Sequence, residues 1–450
     1  MRKLILVTPI LLIVVILSLA SLAGITPTFI VYGPGVGSGI GTKLLCSAEY
    51  VMGQDREQAF TDLVQYSPIL NELSIEYEPA TQSVSASLFG LASKRASFVP
   101  GLGCAVDYAD YAAREELLVQ ESGRSATAWP AGSGVNTIDS RLQMLLDEMV
   151  TRDNEQGLNT RALLLVRGQQ IVAESYGQGT DVDSPLLGWS MAKSLMSIML
   201  GNLELRGLLD FSSSPGFAQW QNDERAEIRI QDMLTMTDGL EFSEEYNPGD
   251  DATAMLFTEP SMSDFVLQQA LVNPPGEFFN YSSGTANLLS RLHHDTLGGS
   301  QAAYDDFMAE IYAPMGFQNA VFEVDASGVF AGSSYFYASA RDWARLGLLM
   351  LNGGEINEQR LVSTDWVSRA STPNQSSNDR AYGYQFWLNS GNANLRFPDI
   401  PADAYYANGN RQQLVMIIPS QEVVIVRLGW TGGRYPVNEN FAQILQELTQ

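Results

Sequence analysis

The sequence predicts an α+β fold in which strands from distant parts of the main domain join one sheet. Residues 162–173 and 413–427 each contain two apolar runs separated by a short turn, a pattern typical of a β-hairpin. Residues 205–350, between the hairpins, have mainly helical patterns with loops, and helices are also predicted over 138–150 and 441–448. The chain is therefore expected to combine a sheet flanked by helices with a mainly helical subdomain.

Three segments precede this domain. A long apolar run within residues 1–25 follows two basic residues and predicts a signal peptide or a membrane anchor. Residues 26–42 are rich in glycine and predict a flexible linker. Residues 43–130 form a small N-terminal module, in which residues 83–88 alternate like a strand. The main domain is then expected over residues 131–450.

The leader and the cysteines indicate the compartment. A positive flank stays in the cytoplasm, so the body of the chain is expected in the periplasm or elsewhere outside the cytoplasm, with inner-membrane anchorage as one outcome. Small residues near position 23 would permit cleavage, so both outcomes stay open. Cys46 and Cys104 are the two cysteines of the chain. In an exported protein such a pair predicts one disulfide bond, with two buried free thiols as the alternative.

Charge excludes one class of partner. The chain of 450 residues has 51 acidic and 26 basic residues and a formal net charge of −25. Contacts with phosphate groups need clustered basic residues, so nucleic acid is excluded as a partner. The expected partner is a small molecule, and the oligomeric state cannot be predicted.

The strongest chemical pattern is Ser190-Met191-Ala192-Lys193, at the start of a predicted buried helix. Residues three apart share a helix face, so Ser190 and Lys193 are expected to be neighbours. A lysine can take a proton from a serine only when it is neutral. Residues 185–203 contain no acidic residue and many apolar ones, and burial without a counter-charge lowers the pKa of a lysine. The pattern therefore indicates a serine nucleophile with a lysine base.

The other residue types restrict the chemistry. The two histidines, His293 and His294, are adjacent on a predicted helix and therefore point to different faces, so a zinc site of several histidines is excluded. We interpret them as structural, and we expect no metal and no organic cofactor. Tyr281 follows a turn and stands beside Ser282 and Ser283. A tyrosine whose pKa is lowered by a nearby lysine can carry protons to a leaving group, so Tyr281 completes a Ser–Lys–Tyr set.

Together these residues resemble the serine β-lactamase-like, penicillin-recognising hydrolases, and within them the 6-aminohexanoate-dimer hydrolase and esterase branch. The resemblance covers roughly residues 137–450. Four motifs occur in the family's order: Ser190–Lys193, residues 230–240, Tyr281–Gly284 and residues 339–344. The resemblance implies a β-lactamase/transpeptidase-like fold with an antiparallel sheet. The N-terminal module also looks like an extension found in exported members of this branch.

At one further motif of the family, called the third motif here, this sequence differs from its relatives. Relatives that hold a substrate carboxylate have Lys-Thr-Gly or Lys-Ser-Gly on the strand beside the nucleophile, whereas the matching position here is Ala407-Asn408-Gly409-Asn410. The missing cation removes a charge-assisted hydrogen bond to that carboxylate. Lactamase and transpeptidase activity are therefore disfavoured, and neutral or amine-bearing esters and amides are favoured.

The sequence thus predicts an exported serine hydrolase that cleaves an ester or a linear amide. Ser190 is the predicted nucleophile, and Lys193 and Tyr281 the acid–base pair. By resemblance, backbone N–H groups of Ser190 and Asn410 form the oxyanion hole beside Gly409, and Ser283 bonds Lys193 or the substrate. Two alternatives stay open: a catalytically weak protein that binds peptidoglycan or another envelope ligand, and a D-amino-acid peptidase.

Overall fold

The computed structural model describes residues 27–120, 123 and 125–449. The predicted leader over residues 1–25 lies outside this part of the chain. Within the described residues, no helix is both long enough and apolar enough to cross a membrane.

The regular elements are numbered here in chain order. The strands are β1 (Leu73–Glu78), β2 (Ser83–Leu88), β3 (Leu91–Val99), β4 (Gly103–Val106), β5 (Thr160–Arg167), β6 (Gln170–Tyr176), β7 (Leu186–Leu187), β8 (Ala320–Phe322), β9 (Phe336–Ala338), β10 (Glu355–Ile356), β11 (Gln359–Arg360), β12 (Trp387–Leu388), β13 (Tyr405–Gly409), β14 (Gln413–Ile418) and β15 (Val423–Gly429). The α-helices are α1 (Pro27–Tyr50), α2 (Arg56–Val64), α3 (Ser140–Glu155), α4 (Ala192–Leu205), α5 (Ile230–Leu234), α6 (Asp251–Phe257), α7 (Met262–Val266), α8 (Ser283–Leu297), α9 (Ser300–Asp306), α10 (Ala313–Met315), α11 (Ala340–Leu351), α12 (Thr364–Ala370) and α13 (Val437–Glu447).

The central sheet has six antiparallel strands in the order β12-β13-β14-β15-β5-β6. It joins the two predicted hairpins, because β15 pairs with β5 and places Ile425 opposite Leu165. Successive side chains of a strand point to opposite faces. Leu165 accordingly packs in one core with α3 and α13, whereas Leu164 packs in the other core with α4 and α11. The predicted α+β fold with an antiparallel sheet is therefore confirmed.

The N-terminal module consists of α1, α2 and a second antiparallel sheet in the order β1-β2-β3-β4. Helix α1 packs across β2 and β3. A disulfide bond joins Cys46 of α1 to Cys104 of β4, which confirms the predicted pairing. Helix α1 and the sheet therefore form one packed unit.

The prediction of a flexible linker over residues 26–42 is wrong, because helix α1 runs from Pro27 to Tyr50 and most of its glycines are buried. These glycines permit close packing rather than flexibility. A Cβ atom at Gly37 would lie 2.8 Å from Leu88 of β2, and one at Gly39 would lie 2.1 Å from the carbonyl oxygen of Phe257. Glycine is the residue that lets another part of the chain approach this closely.

A buried ion pair joins the module to the main domain. The Nζ atom of Lys43, on α1, contacts Glu323, which follows β8. The same carboxylate accepts hydrogen bonds from the hydroxyl of Ser47 at 2.8 Å and the backbone N–H of Cys104 at 2.7 Å. The ring of Tyr335 covers the Lys43 ammonium, with its centroid 3.9 Å from Nζ. The disulfide and this ion pair therefore lie side by side where the N-terminal module contacts the main domain.

Candidate functional site

Ser190 lies in a short turn that a small sheet holds in place. Strand β7 pairs with β9, and the N–H of Gly188 then donates to the carbonyl of Phe336 at 3.0 Å. A single 3₁₀ turn over Trp189–Met191 leads directly into α4, as the sequence pattern indicates. Trp189 has a φ of +48°. This left-handed conformation is uncommon for a bulky side chain, and such strain is typical of functional sites.

Lys193 lies one helical turn after Ser190 and is buried, with 1% of its surface exposed. Its Nζ atom lies 2.9 Å from the hydroxyl oxygen of Ser190, 3.0 Å from that of Ser283 and 3.0 Å from the carbonyl oxygen of Ser333. All three hydrogen-bonding positions of an ammonium or amine are thus occupied by neutral groups. The structure therefore brings together Ser190, Lys193 and Ser283.

Burial lowers the pKa of Lys193 to about 8, and the carboxylate of Glu244 opposes part of this shift. The direction agrees with the expectation drawn from the apolar helix. A lysine with this pKa is substantially neutral near pH 8 and can accept a proton there.

Glu244 is a site residue that the sequence did not reveal. The hydroxyl of Ser283 donates to one carboxylate oxygen of Glu244 at 2.5 Å, and the Ser283 N–H donates to the other at 2.7 Å. Ser283 begins helix α8, where the positive end of the helix dipole favours a nearby anion. A hydrogen-bond chain therefore runs from Ser190 through Lys193 and Ser283 to Glu244. One carboxylate among 51 acidic residues carries no signal of its own.

Tyr281 belongs to the same cluster, but its pKa does not move as predicted. Burial and the nearby Glu244 raise its pKa, and a hydrogen bond with the Ser190 side chain opposes this only in part. The Lys193 Nζ atom lies 4.9 Å from the centre of the Tyr281 ring. The prediction of a tyrosine with a lowered pKa is therefore wrong. A protonated Tyr281 hydroxyl is suited to donate a proton.

Gly409 and Asn410 lie on the other side of Ser190, where β13 ends. A Cβ atom at Gly409 would lie 2.0 Å from the carbonyl oxygen of Gly188 and 3.2 Å from the backbone nitrogen of Ser190. Only glycine permits this approach, which brings the strand end against the turn that carries Ser190. The side chain of Asn410 accepts a hydrogen bond from Tyr66 of the N-terminal module at 3.3 Å. The module therefore contacts this part of the site directly.

The third-motif strand has no cation at the matching position, where Ala407 is buried in β13. Arg411 is close in sequence, but its guanidinium stacks on the ring of Tyr66, 4.1 Å from the ring centre. The histidines do not belong to the site: His293 is buried 3.5 Å from Asp306, and His294 bonds to Asp295 and Ser300.

A cavity of about 390 Å³ opens beside Ser190, within the size range of ligand pockets. The main domain contributes Ser190, Trp189 and Asn410, among others, to its lining. The N-terminal module contributes residues from α1, from the segment after α2 and from β2. The sequence left open whether the module covers the site or only braces the sheet. The structure shows that it forms one wall of the cavity.

Comparison with known proteins identifies the main domain. Residues 145–443 match the family described as Beta-lactamase. The chain belongs to the β-lactamase family. The predicted membership of this family of serine hydrolases is therefore confirmed. The N-terminal module and its cavity wall lie outside the matched residues.

Individual relatives agree with this result. The 6-aminohexanoate-dimer hydrolase of Paenarthrobacter ureafaciens is 28% identical over 244 residues, which are 49% of this chain and 61% of the relative. The match thus spans about three-fifths of that protein. A candidate 6-aminohexanoate-dimer hydrolase from Bacillus anthracis superposes with a TM-score of 0.56 at 20% identity, over 66% of this chain and 80% of its own. EstA from Arthrobacter nitroguajacolicus Rue61a superposes with a TM-score of 0.54 at 16% identity, over 71% of this chain and 100% of its own. At these identities the two structures support the fold.

Proposed function

We propose that this β-lactamase-family protein is a serine hydrolase that cleaves an ester or a linear amide through an acyl-enzyme on Ser190. The observation that carries the proposal is the 2.9 Å contact between the Ser190 hydroxyl and the Nζ atom of a buried lysine whose pKa is lowered to about 8. A serine hydroxyl becomes a strong nucleophile when an adjacent base takes its proton.

In the first half of the reaction, Lys193 takes the proton of Ser190 while the serine oxygen bonds to the substrate carbonyl carbon. The N–H groups of Ser190 and Asn410 stabilise the negative charge that develops on the carbonyl oxygen. Tyr281 then donates a proton to the leaving alcohol or amine as its bond to the carbonyl carbon breaks. The protonated Lys193 returns a proton to Tyr281, and the acyl group stays on Ser190.

In the second half, neutral Lys193 takes a proton from a water molecule, whose oxygen attacks the acyl carbon. The ester bond to Ser190 breaks, the protonated Lys193 returns the proton to the Ser190 oxygen, and the acid leaves. Ser283 and Glu244 hold the Lys193 amine in place and oppose the loss of its charge. Lys193 and Tyr281 mediate every proton transfer in this route.

Two observations support an ester or linear amide over a β-lactam. Ala407 stands where a cation would hold the substrate carboxylate, so a charge-assisted hydrogen bond is missing. The relative from Paenarthrobacter ureafaciens is named for a linear amide. The Cys46–Cys104 disulfide supports export to an oxidising compartment, because such bonds are rare in the cytoplasm.

The test compares the full chain with Ser190→Ala on a p-nitrophenyl ester, a 6-aminohexanoate dimer and a chromogenic cephalosporin. We expect turnover of the ester or the dimer, an acyl-enzyme mass shift on the wild type, and loss of both in Ser190→Ala. Turnover of the cephalosporin alone would contradict the proposed substrate class. Absence of turnover and of any mass shift would favour the alternative of an envelope ligand-binding protein.

A further inference from the structure

We propose that the cavity beside Ser190, one wall of which is the N-terminal module, binds the acyl part of the substrate, and that this part is an uncharged apolar chain. The inference rests on the proposed function and specifies its substrate class. It starts from the lining of the cavity, which includes Ser190 and Asn410 of the main domain together with residues of the module.

The module makes the wall apolar. Val36 and Ile40 line the cavity from α1, Ile69 and Leu70 line it from the segment after α2, and Leu88 lines it from β2. No charged side chain is among the described residues that line it, although the chain has a net charge of −25. Burying an ammonium or a carboxylate without a partner is strongly unfavourable. The lining therefore selects an uncharged group.

The position of Tyr281, the proposed proton donor, indicates that the acyl part of the substrate, rather than the leaving group, occupies the cavity. Ser190 and Asn410 line the cavity, whereas neither Lys193 nor Tyr281 is among the described lining residues. The leaving group must reach Tyr281 to be protonated. The other substituent of the carbonyl carbon, which is the acyl chain, then points into the cavity.

The wall is also held rigidly. Gly37 and Gly39 let α1 pack tightly between β2 and α6, and the disulfide fixes the same helix to β4. The Ser38 hydroxyl, in the same turn, accepts the N–H of Leu88 at 3.0 Å. A rigid wall gives a fixed depth, so chain length should be selected sharply.

The experiment measures kcat/KM for p-nitrophenyl esters from acetyl to dodecanoyl on the full chain. Each buried methylene should raise kcat/KM about fourfold until the cavity is full. The variants Ile40→Phe and Ile69→Phe fill the cavity and should move the best substrate to shorter acyl chains. The control is Ile75→Phe, the same change on β1 outside the cavity lining.

A matched pair of substrates tests the absence of charge. The hexanoyl ester and the 6-aminohexanoyl ester have chains of similar length that differ in the terminal ammonium. The hexanoyl ester should be preferred by about 100-fold or more at neutral pH, because no carboxylate is among the described residues that line the cavity.

The outcomes separate the two proposals. If acetyl ester turnover depends on Ser190 but the chain-length profile is flat, or is unchanged in both phenylalanine variants, the acyl cavity is wrong and the hydrolase stands. If kcat/KM depends instead on the length of the alcohol chain in a series of alkyl acetates, the cavity does not bind the acyl part of the substrate. If no ester is cleaved, the hydrolase proposal fails and this inference fails with it.

Discussion

Lys43 and Lys193 are both buried, but their different hydrogen-bonding partners give the first a structural role and the second a chemical role. Lys43 is 3% exposed and Lys193 is 1% exposed, and burial lowers the pKa of both. Lys43 contacts the Glu323 carboxylate directly, which opposes the effect of burial on its pKa. The Lys193 hydrogen bonds among the described residues go to hydroxyl and carbonyl oxygens, and the Glu244 carboxylate accepts from Ser283 rather than from Lys193. A direct counter-charge favours a fixed ion pair, whereas its absence favours a neutral base.

Lys193→Met tests the chemical half of this comparison and should have the largest effect. Removing the base should lower kcat/KM on esters by about 10²–10⁴-fold. The unfolding midpoint should not fall, because methionine fills the space and removes a buried charge. Ester kinetics and thermal unfolding measure the two effects. Lys94→Met on β3 is the control, and retention of more than about a tenth of wild-type activity in Lys193→Met would exclude Lys193 as the base.

Lys43→Met tests the structural half. It leaves the Glu323 carboxylate buried without its cation, which should lower the free energy of unfolding by about 3–5 kcal/mol. The kcat of the folded protein on esters should stay near the wild-type value. Urea unfolding followed by tryptophan fluorescence measures the change. The double variant Lys43→Met/Glu323→Gln should recover most of the loss, and a double variant as unstable as the single one would show that the ion pair is not the cause.

Glu244→Gln should have the smallest effect of the three variants, and it should shift the pH dependence of kcat in one direction. The Glu244 charge raises the pKa of Lys193, so its removal should lower that pKa from about 8 and increase the neutral fraction at pH 7. Activity that requires neutral Lys193 rises with pH through this pKa. The acid limb of the kcat profile should therefore move to lower pH, by about 0.5–1 unit.

The control for this measurement is Glu245→Gln, which removes the same charge from the exposed neighbouring residue. If the acid limb of the kcat–pH profile does not move in Glu244→Gln, or moves equally in both variants, Glu244 does not act on Lys193.

The parts of the molecule that the sequence predicted depend on local patterns. Both hairpins and helix α4, which follows Ser190, have apolar spacings that secondary structure alone explains. The Ser190–Lys193 contact follows from their separation of three residues on one helix face. These features need no knowledge of the rest of the chain.

The parts that the sequence missed depend on contacts between distant segments. Residues 33–41 alternate glycine with other residues, a composition typical of a linker, and they are helical because of the surfaces against which they pack. Glu244 acts through Ser283, which lies 39 residues away along the chain. The raised pKa of Tyr281 comes from burial and from Glu244, whereas the sequence pattern directed attention to the lysine.

The glycines of α1 also restrict how this protein can be made more heat-resistant. Replacing a helical glycine with alanine commonly stabilises a helix by about 1 kcal/mol. At Gly37 and Gly39 the added methyl group would meet Leu88 at 2.8 Å and the Phe257 carbonyl at 2.1 Å, and at Gly41 it would meet Leu73 at 2.8 Å. Gly35 has room, since its nearest neighbour would be Thr258 at 3.9 Å. Engineering of this helix is therefore confined to the positions that face away from the cavity wall and its supports.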